Sequence, residues 1–266
     1  MAACSIFSVS GLFFVARVGQ TLPVTLLPTA LTDKRDVPRA FDAIARSYDI
    51  STTLNPGYNR HLKWSAERMR LPPGARVLDL CCGTGCSTQA VADVYPDGDI
   101  VGLDASEEML ARARRKPLSE RVDFVLGDAM DPSQSAGIQG PFDGILMAYG
   151  IRNMSAPDEC LGRIYDLLAP GGVVCFHEYS VADSNRSRAI WNAVCFGIII
   201  PMGLVTASRS PIFRYLRKSV INFDGVRAFE ERLEGHAFVD VHTEPMDGWQ
   251  KGIVHSFLAR KPAQPD

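Results

Sequence analysis

The sequence lacks a strong charge of either sign. Its 28 lysine and arginine residues and its 30 aspartate and glutamate residues leave a formal charge of −2 over 266 residues. So small a net charge gives no general field that would gather nucleic acid or anionic lipid, and no nucleic-acid partner is predicted. The chain also lacks internal repeats and low-complexity tracts, so one globular domain with a sizeable core is the economical prediction.

Disulfide frameworks and metal-ligand spacings are missing as well. The seven cysteines are an odd number, and Cys81, Cys82 and Cys86 crowd into one short stretch. This is a poor disulfide framework and indicates a reducing compartment, so we expect the protein in the cytoplasm. No second ligand pair stands at a zinc-site spacing, so the three thiols are interpreted as packing residues and no metal is predicted.

Acidic residues are absent from the first 32 positions, which carry Arg17 as their one basic residue. The apolar run at residues 11–16 is short for a secretory core and lacks a basic start. We therefore interpret residues 1–36 as a leader outside the folded domain. Mitochondrial localisation is the alternative if this leader is a targeting peptide.

A second stretch, between Arg188 and Arg209, contains no charge. About 20 apolar residues can span a bilayer, but Pro201 and Gly203 interrupt this run, and strands of the same domain follow it. A helical segment over residues 186–222 that covers the substrate is therefore favoured over a membrane span. Its apolar residues suit the wall of a lipophilic pocket and could also enter a membrane interface, so peripheral membrane contact is kept as an expectation.

Strand and helix patterns alternate along the middle of the chain, which indicates a mostly parallel sheet with helices on both faces. Two helical patterns, at residues 38–48 and 58–69, precede the sheet and predict a helical cap over residues 37–73. The strands are predicted at residues 76–81, 100–104, 122–126, 144–148, 173–179, 238–243 and 253–259, and the helices between them at 87–94, 107–116 and 157–168. The last two strands predict a terminal antiparallel pair.

An apolar strand runs into a glycine turn at residues 77–85, and a helix begins near Ser87. Gly83 and Gly85 allow the backbone to approach a ligand closely, and the amides at the helix start can meet a carboxylate. A dinucleotide enzyme would have a third glycine where Thr88 stands, so a nicotinamide oxidoreductase is less favoured.

Three aspartates lie in or just after successive strands. Asp79 precedes the glycine turn and suits a cationic ligand group, such as the amino group or sulfonium of S-adenosylmethionine, directly or through water. Asp104 can accept hydrogen bonds from both hydroxyls of a ribose, and Asp128 with the amide of Ala129 can read an adenine edge. A helix cap is the alternative for each aspartate alone, but their recurrence favours a nucleoside ligand.

Residues 77–85, Asp104, Asp128 and the segment 168–172 together resemble the signature of class I S-adenosylmethionine-dependent methyltransferases. The resemblance implies S-adenosylmethionine as the cofactor and a methyltransferase domain over residues 37–266. It also implies an α/β, Rossmann-like fold, with a mostly parallel seven-stranded sheet, a terminal antiparallel hairpin and an N-terminal helical cap.

Seven further segments resemble the ubiquinone/menaquinone biosynthesis C-methyltransferases in the family's order, at residues 41–49, 57–60, 150–154, 178–180, 213–216, 219–220 and 252–254. This resemblance implies C-methylation of a lipophilic quinol or a related aromatic ring, and a homodimer is a further expectation. The chain departs from the family at several positions, and His177 is one that replaces an apolar residue. Two alternatives stay open: O- or C-methylation of another aromatic or lipophilic small molecule, and a non-catalytic S-adenosylmethionine-binding protein.

The same resemblance implies that Arg152 and Asn153 hold the oxygens of the ring, with Arg152 stabilising a phenolate. Arginine is a poor base because its proton is hard to remove. His177 and Glu178 end a strand near the expected methyl position and are candidates for a general base. Neighbouring strand residues point to opposite faces, so at most one should face the ligand directly. Tyr48 is expected to close over the cofactor.

Overall fold

The computed structural model describes residues 34–53, 55–201 and 212–263. Most of the predicted leader lies outside these ranges, and the part inside them, Lys34–Asp36, forms a short 3-10 helix. The middle of the predicted substrate-covering segment, residues 202–211, lies outside them as well.

A single sheet of seven strands organises the chain, in the order β3-β2-β1-β4-β5-β7-β6. The first five in this order run parallel, whereas β7 is antiparallel to both β5 and β6. The predicted mostly parallel sheet with a terminal antiparallel pair is thus confirmed. The strands are β1 (Arg76–Leu80), β2 (Asp99–Asp104), β3 (Val122–Leu126), β4 (Phe142–Ala148), β5 (Leu168–Tyr179), β6 (Val239–Pro245) and β7 (Val254–Arg260).

Eight α-helices surround the sheet within the described ranges. Most begin and end close to the predicted positions, but the helix predicted at residues 107–116 ends at Ala113. Pro117 explains the early end, because a proline disfavours helical backbone in the residue before it. The helices are α1 (Val37–Thr53), α2 (Tyr58–Met69), α3 (Cys86–Val94), α4 (Glu107–Ala113), α5 (Pro157–Leu167), α6 (Asn185–Val194), α7 (Ile212–Ile221) and α8 (Val226–Gly235).

Helices cover both faces of the sheet because alternate strand residues point to opposite sides. On one face α5 and α8 pack against side chains that include Leu78 and Phe176. On the other face α2 and α3 pack against side chains that include Val77 and Cys175. The two helices predicted as a cap therefore take separate positions: α2 belongs to this second layer, while α1 packs against α4 and α7.

The strand order reverses between β1 and β4, which are neighbours although two strands lie between them in the sequence. In open parallel sheets the connections diverge at such a point and leave a crevice at the carboxyl ends of the strands, where ligands bind. Beyond β5, α6 continues into a π-helical segment, Cys195–Ile199. None of the helices in the described ranges combines the length and the apolar composition that a membrane span requires.

Candidate active site

A cavity of about 610 Å³ opens at the carboxyl ends of the parallel strands, a size usual for small-molecule sites. It is lined by β-strand ends, by α1 and by the region of α6 and α7, and most of its surface is apolar. The structure brings six of the predicted site residues together here: Gly83, Asp104, Asp128, Ala129, Arg152 and Asn153.

The turn after β1 presents bare backbone to the cavity at Gly83. This residue has φ +56°, and a side-chain carbon at its position would meet no atom within 4 Å. Gly85 has a different task, since it caps α3 with φ +82° and does not line the cavity. A side-chain carbon there would lie 3.3 Å from Cβ of Ala113 and 3.4 Å from Cζ of Phe124. Both glycines were predicted to let the backbone approach a ligand closely. The backbone of Gly83 borders the cavity, whereas that of Gly85 packs closely against Ala113 and Phe124.

Asp104 ties this turn to the end of β2. Its Oδ2 accepts a hydrogen bond of 2.8 Å from the amide of Gly83, and its Oδ1 accepts one of 2.9 Å from the amide of Ser106. Burial raises the pKa of the carboxyl, and these amides oppose the rise. Each carboxylate oxygen has a further lone pair, so Asp104 can still accept hydrogen bonds from two neighbouring hydroxyls of a ligand.

The end of β3 adds Asp128 and Ala129. Oδ1 of Asp128 accepts a hydrogen bond of 2.9 Å from the amide of Met130, which makes a tight local turn, and the side chain is otherwise exposed. Ala129 is buried beside it and lines the cavity. The two residues thus lie beyond Asp104 along the same edge of the sheet, because β3 is the neighbour of β2.

Asp79 does not line the cavity, because it points to the face of the sheet that carries α3. Its Oδ2 accepts hydrogen bonds from the hydroxyls of Ser87 (2.7 Å) and Thr88 (2.6 Å). Burial raises its pKa to about 6 against the opposing effect of these two bonds. Its Oδ1 is buried, and within the part of the chain that the structure describes it has no hydrogen-bond partner. That atom can take a hydrogen bond from a ligand or a water.

The side chain of Tyr48 lies outside the part of the chain that the structure describes. Burial raises the pKa of Cys81 and Cys82 well above the ordinary value of a thiol, so these two thiols are neutral. In the described ranges, no group of three histidine, cysteine or acidic side chains could hold a metal ion.

The other side of the cavity is built on the turn after β4. Tyr149 has φ +56°, which turns the chain sharply into the 3-10 helix Ile151–Asn153. Its carbonyl oxygen accepts hydrogen bonds from Nη1 of Arg152 (2.8 Å) and from Nδ2 of Asn153 (3.0 Å). Oδ1 of Asn153 in turn accepts one of 3.1 Å from the hydroxyl of Tyr215.

Arg152 forms a buried ion pair with Glu178. Nη1 of Arg152 lies 2.6 Å from Oε1 of Glu178, and the two side chains are 4% and 0% exposed. Burial raises the pKa of Glu178, while the charge of Arg152 opposes that rise. Nε of Arg152 and Oε2 of Glu178 are buried without a hydrogen-bond partner in the described part of the chain. The guanidinium reaches the cavity wall and the carboxylate lies behind it.

His177 points to the opposite face of β5, as the alternation of strand side chains requires. It is fully buried, and its ring is bonded to Ser65 and to the hydroxyl of Tyr149. Burial lowers its pKa to about 3, so it is neutral at physiological pH. Neither His177 nor Glu178 lines the cavity. Each reaches the cavity through a neighbour, His177 through Tyr149 and Glu178 through Arg152.

Several lining residues escaped the sequence-based predictions. Tyr149 and Tyr215 are two of them, although both stand in or beside segments that carry the family resemblance. Lys34 is a third, and it falls in the segment assigned to the leader. Its Nζ donates a hydrogen bond of 2.8 Å to the carbonyl of Met154. The apolar wall includes Ile198, Ile199, Phe213 and Leu216.

Comparisons with known proteins agree with this geometry. The sequence profile of the ubiE/COQ5 methyltransferase family matches residues 29–261. Demethylmenaquinone methyltransferase of Staphylococcus aureus (strain JH9) is 30% identical over 236 residues, which cover 86% of this chain and 94% of that protein.

Solved structures share the fold. Phosphoethanolamine N-methyltransferase 2 of Haemonchus contortus, in complex with S-adenosyl-L-methionine, matches with a TM-score of 0.60 and 19% identity, over 86% of this chain and 60% of that one. The complex between the Haloferax volcanii Trm112 methyltransferase activator and a methyltransferase contains a chain that matches with a TM-score of 0.59 and 17% identity, over 84% and 97%. The fold rests on these structures and the family on the sequence matches: the chain belongs to the ubiE/COQ5 methyltransferase family and is an S-adenosylmethionine-dependent methyltransferase.

Proposed function

We propose that the enzyme methylates a ring carbon of a lipophilic quinol. The observation that carries the proposal is one continuous cavity. It joins Gly83 and Asp104 on one side to Arg152 and Asn153 on the other, under an apolar wall. A methyl donor and a ring that carries oxygens would therefore meet in the same space. A demethylmenaquinone methyltransferase at 30% identity supports this class of acceptor.

The cofactor side has backbone and carboxylate groups suited to the parts of S-adenosylmethionine, which supplies a methyl group on a positively charged sulfur. In this proposal Asp104 accepts from the ribose hydroxyls, Asp128 and the amide of Ala129 contact the adenine, and the open backbone at Gly83 borders the cofactor. Oδ1 of Asp79, buried and without a described partner, suits the amino group through a water. Contact with Tyr48 stays a prediction.

The acceptor side has the groups that a quinol oxygen needs. Arg152 is a donor with a permanent charge, and it stabilises the phenolate form of the ring oxygen. A phenolate pushes electron density onto the neighbouring ring carbon, which would form the new bond to the methyl carbon as the bond from sulfur to that carbon breaks and leaves its electron pair on sulfur. One proton is lost overall, because the ring carbon exchanges its hydrogen for the methyl group. Arg152 orders the water that carries this proton away, and Asn153 orients the ring.

Glu178 acts through Arg152 in this scheme. Its Oε1 is already bonded to the guanidinium and to the amide of Tyr179 (2.8 Å), and the carboxylate does not line the cavity. It is a positioning residue, since it holds the guanidinium in one orientation and compensates its charge. The candidate general base of the sequence-based prediction is thereby replaced by an ion pair whose cation faces the substrate.

The apolar wall suits a prenyl tail, and it continues to the surface. Phe196 and Ile198 are 60% and 59% exposed, and Ile198 also lines the cavity. The guanidinium of Arg217 lies 4.6 Å from the ring centre of Phe196, so a cation borders the exposed apolar residues. We place the enzyme in the cytoplasm, with this surface in peripheral contact with the membrane that holds the quinol. The homodimer stays a prediction.

The test is product analysis with quinols of two ring types. The purified enzyme would be incubated with S-adenosylmethionine carrying a deuterated methyl group, with a prenylated 1,4-naphthoquinol or with a prenylated benzoquinol. Mass spectrometry detects transfer, and NMR assigns the methyl group to carbon or oxygen. We expect a C-methyl product. An O-methyl product, or transfer only to other aromatic compounds, overturns the proposed chemistry, and cofactor binding without transfer to any acceptor points to a binding protein.

Arg152→Ala is the variant that connects this chemistry to the site. We expect methyl transfer to fall at least about tenfold, near 1.4 kcal/mol of barrier, with S-adenosylmethionine affinity close to that of the wild type. Arg163→Ala is the matched control, because Arg163 is exposed on the following helix. A folded Arg152→Ala variant with the wild-type rate removes Arg152 from the acceptor site.

A further inference from the structure

A row of polar side chains crosses the buried side of β5, β7 and β6. His177 on β5 lies opposite Ser256 on β7, and Ser256 lies opposite Glu244 on β6. Helix α2 places Ser65 and Arg68 over this row, one helical turn apart. His177, Ser65 and Ser256 are each less than 1% exposed, so the row passes through the protein interior.

The side chains of this row form a continuous series of hydrogen bonds from the surface to the cavity. Nη1 of Arg68 lies 2.9 Å from Oγ of Ser256, which lies 2.7 Å from Oγ of Ser65. Oγ of Ser65 lies 2.7 Å from Nδ1 of His177, and Nε2 of His177 lies 2.9 Å from the hydroxyl of Tyr149. Of these five residues, Tyr149 lines the cavity.

The first member gives the series its direction. A guanidinium has donors and no acceptor, so Ser256 must accept from Arg68 and give its own hydrogen to another atom. With Ser65 as that acceptor, Ser65 donates to Nδ1 of His177. The neutral imidazole then carries its hydrogen on Nε2 and donates it to the oxygen of Tyr149. The hydroxyl hydrogen of Tyr149 is therefore directed to an acceptor other than His177.

Two further facts favour this direction over the reverse one. The reverse direction would leave Ser256 to donate to the thiol of Cys175, which also lies beside both serines, and a thiol is a weak acceptor. Burial lowers the pKa of His177 to about 3, so the ring has a single hydrogen to place. Successive bonds of one direction also polarise one another, which strengthens the last donor.

Several contacts hold Tyr149 in place, so its hydroxyl keeps the position in which it accepts from Nε2 of His177. Its amide donates a hydrogen bond of 2.8 Å to the carbonyl of His177, and its carbonyl accepts from Arg152 and Asn153. Its ring stacks on that of Tyr58, with centres 5.8 Å apart, and packs at a tilt against that of Tyr179, at 4.8 Å. These contacts stabilise a left-handed backbone that a tyrosine seldom adopts, and such conformations concentrate at functional sites.

We propose that Tyr149 is a catalytic residue whose hydroxyl donates a hydrogen bond to a ring oxygen of the acceptor, with its direction set by the series from Arg68 through His177. This inference rests on the proposed function, because it requires an acceptor with a phenolic oxygen. Tyr149 and Arg152 then stabilise the phenolate together, and His177, Ser65, Ser256 and Arg68 are positioning residues.

The rate test uses Tyr149→Phe, which removes the hydroxyl and keeps the stacked ring. We expect kcat/KM for the quinol substrate to fall about ten- to a hundredfold, the usual effect of losing a hydrogen bond to a charged oxygen. The affinity for S-adenosylmethionine should not change. In His177→Leu, kcat/KM should fall about three- to tenfold, because the hydroxyl of Tyr149 loses its orientation but keeps its hydrogen. Tyr165→Phe is the matched control, since Tyr165 is a partly buried tyrosine outside the cavity.

A second test reads the donor directly. The probe 4-nitro-1-naphthol changes its absorbance on ionisation, and its pKa would be titrated on the enzyme with S-adenosylhomocysteine bound. We expect that pKa to rise by about one unit in Tyr149→Phe and by less in His177→Leu, because each lost donor destabilises the bound phenolate. Nitrogen NMR of the wild-type enzyme should show His177 neutral with its hydrogen on Nε2.

The outcomes separate this inference from the proposed function. If the wild type methylates a quinol, but Tyr149→Phe has an unchanged rate and an unchanged probe pKa, the inference is overturned and the proposed function stands. A hydrogen on Nδ1 of His177 overturns the direction of the series. If the wild type methylates no quinol, the proposed function is overturned, and the probe titration and the NMR result decide on Tyr149 alone.

Discussion

The cofactor side and the acceptor side of the cavity draw their contacts from different distances in the sequence. Asp104 and Asp128 accept hydrogen bonds from amides two residues further along the chain, at Ser106 and Met130, and Asp104 also accepts one from the amide of Gly83, 21 positions earlier. On the acceptor side, Arg152 pairs with a residue 26 positions away and Asn153 with one 62 positions away. His177 and Ser65 are 112 positions apart. The contacts of the two aspartates thus stay within 21 positions, whereas those of the acceptor side reach across 62 and 112 positions.

This difference affects what each side contributes to the free energy of unfolding. On the acceptor side, Arg152 and Glu178 are removed from water, and each charge is compensated by the other. On the cofactor side, Asp104 meets backbone amides at the rim of the cavity, where a ligand could reach it. We therefore expect substitutions on the acceptor side to cost stability, and substitutions on the cofactor side to act mainly on ligand affinity.

The largest effect is expected from the buried ion pair. Arg152→Ala should lower the free energy of unfolding by about 3–5 kcal/mol, because it leaves Glu178 buried without its counterion. Urea unfolding measures the loss, and Arg163→Ala should stay within about 0.5 kcal/mol of the wild type. The double variant Arg152→Met with Glu178→Leu should recover most of the loss. A loss below about 1 kcal/mol in Arg152→Ala would remove the contrast between the two sides.

A pH-dependent effect of up to about 3 kcal/mol is expected at Asp79. Folding raises the pKa of its carboxyl from 3.8 to about 6, so the bound proton contributes stability below pH 4 that is lost as the pH rises through 6. Asp79→Asn should not lose stability in this way, because an asparagine side chain does not titrate in this pH range. The difference between the free energies of unfolding of variant and wild type should therefore shift in favour of the variant between pH 4 and pH 7. A constant difference over this range would show that Asp79 titrates normally.

Asp104→Ala tests the cofactor side by affinity. We expect S-adenosylmethionine binding to weaken by about 1–3 kcal/mol, the scale of losing hydrogen bonds to a charged acceptor. Isothermal titration measures it, with a thermal melt to confirm that the variant is folded. Asp123→Ala is the matched control, since Asp123 is an exposed aspartate on the neighbouring strand and does not line the cavity. Equal affinities in the two variants would remove Asp104 from the cofactor site.

The smallest effects should separate the two glycines of the turn. Gly83→Ala and Gly85→Ala should each lower the free energy of unfolding by about 1 kcal/mol, because both positions have a left-handed backbone. Gly83→Ala should also weaken S-adenosylmethionine binding, since its added carbon enters the open space beside the cavity, and Gly85→Ala should not. If both variants lose affinity equally, the turn meets the cofactor along its whole length.

The fold was predictable because its signals are local. The β1 region shows this: an apolar strand, a glycine turn and a helix follow one another directly, so their order alone indicates where the backbone can approach a ligand. Asp104 and Asp128 were predictable for the same reason, since each follows a strand whose end defines its place. Gly85 shows the limit. The glycine pattern could not tell a ligand contact from the contact with Ala113 and Phe124, which belong to other elements.

The sequence by itself determined the alternation of strands and helices, the glycine turn after the first strand and the carboxylates at the strand ends, because each depends on neighbours within a few residues. Only the tertiary structure decided which groups face the acceptor. It placed His177 and Glu178 on opposite faces of β5 and behind other side chains, and it brought Tyr149 and Tyr215 to the cavity. The physical reason is that burial, ion pairing and the direction of a hydrogen-bond series depend on atoms contributed by distant segments, and a linear pattern carries no record of that packing.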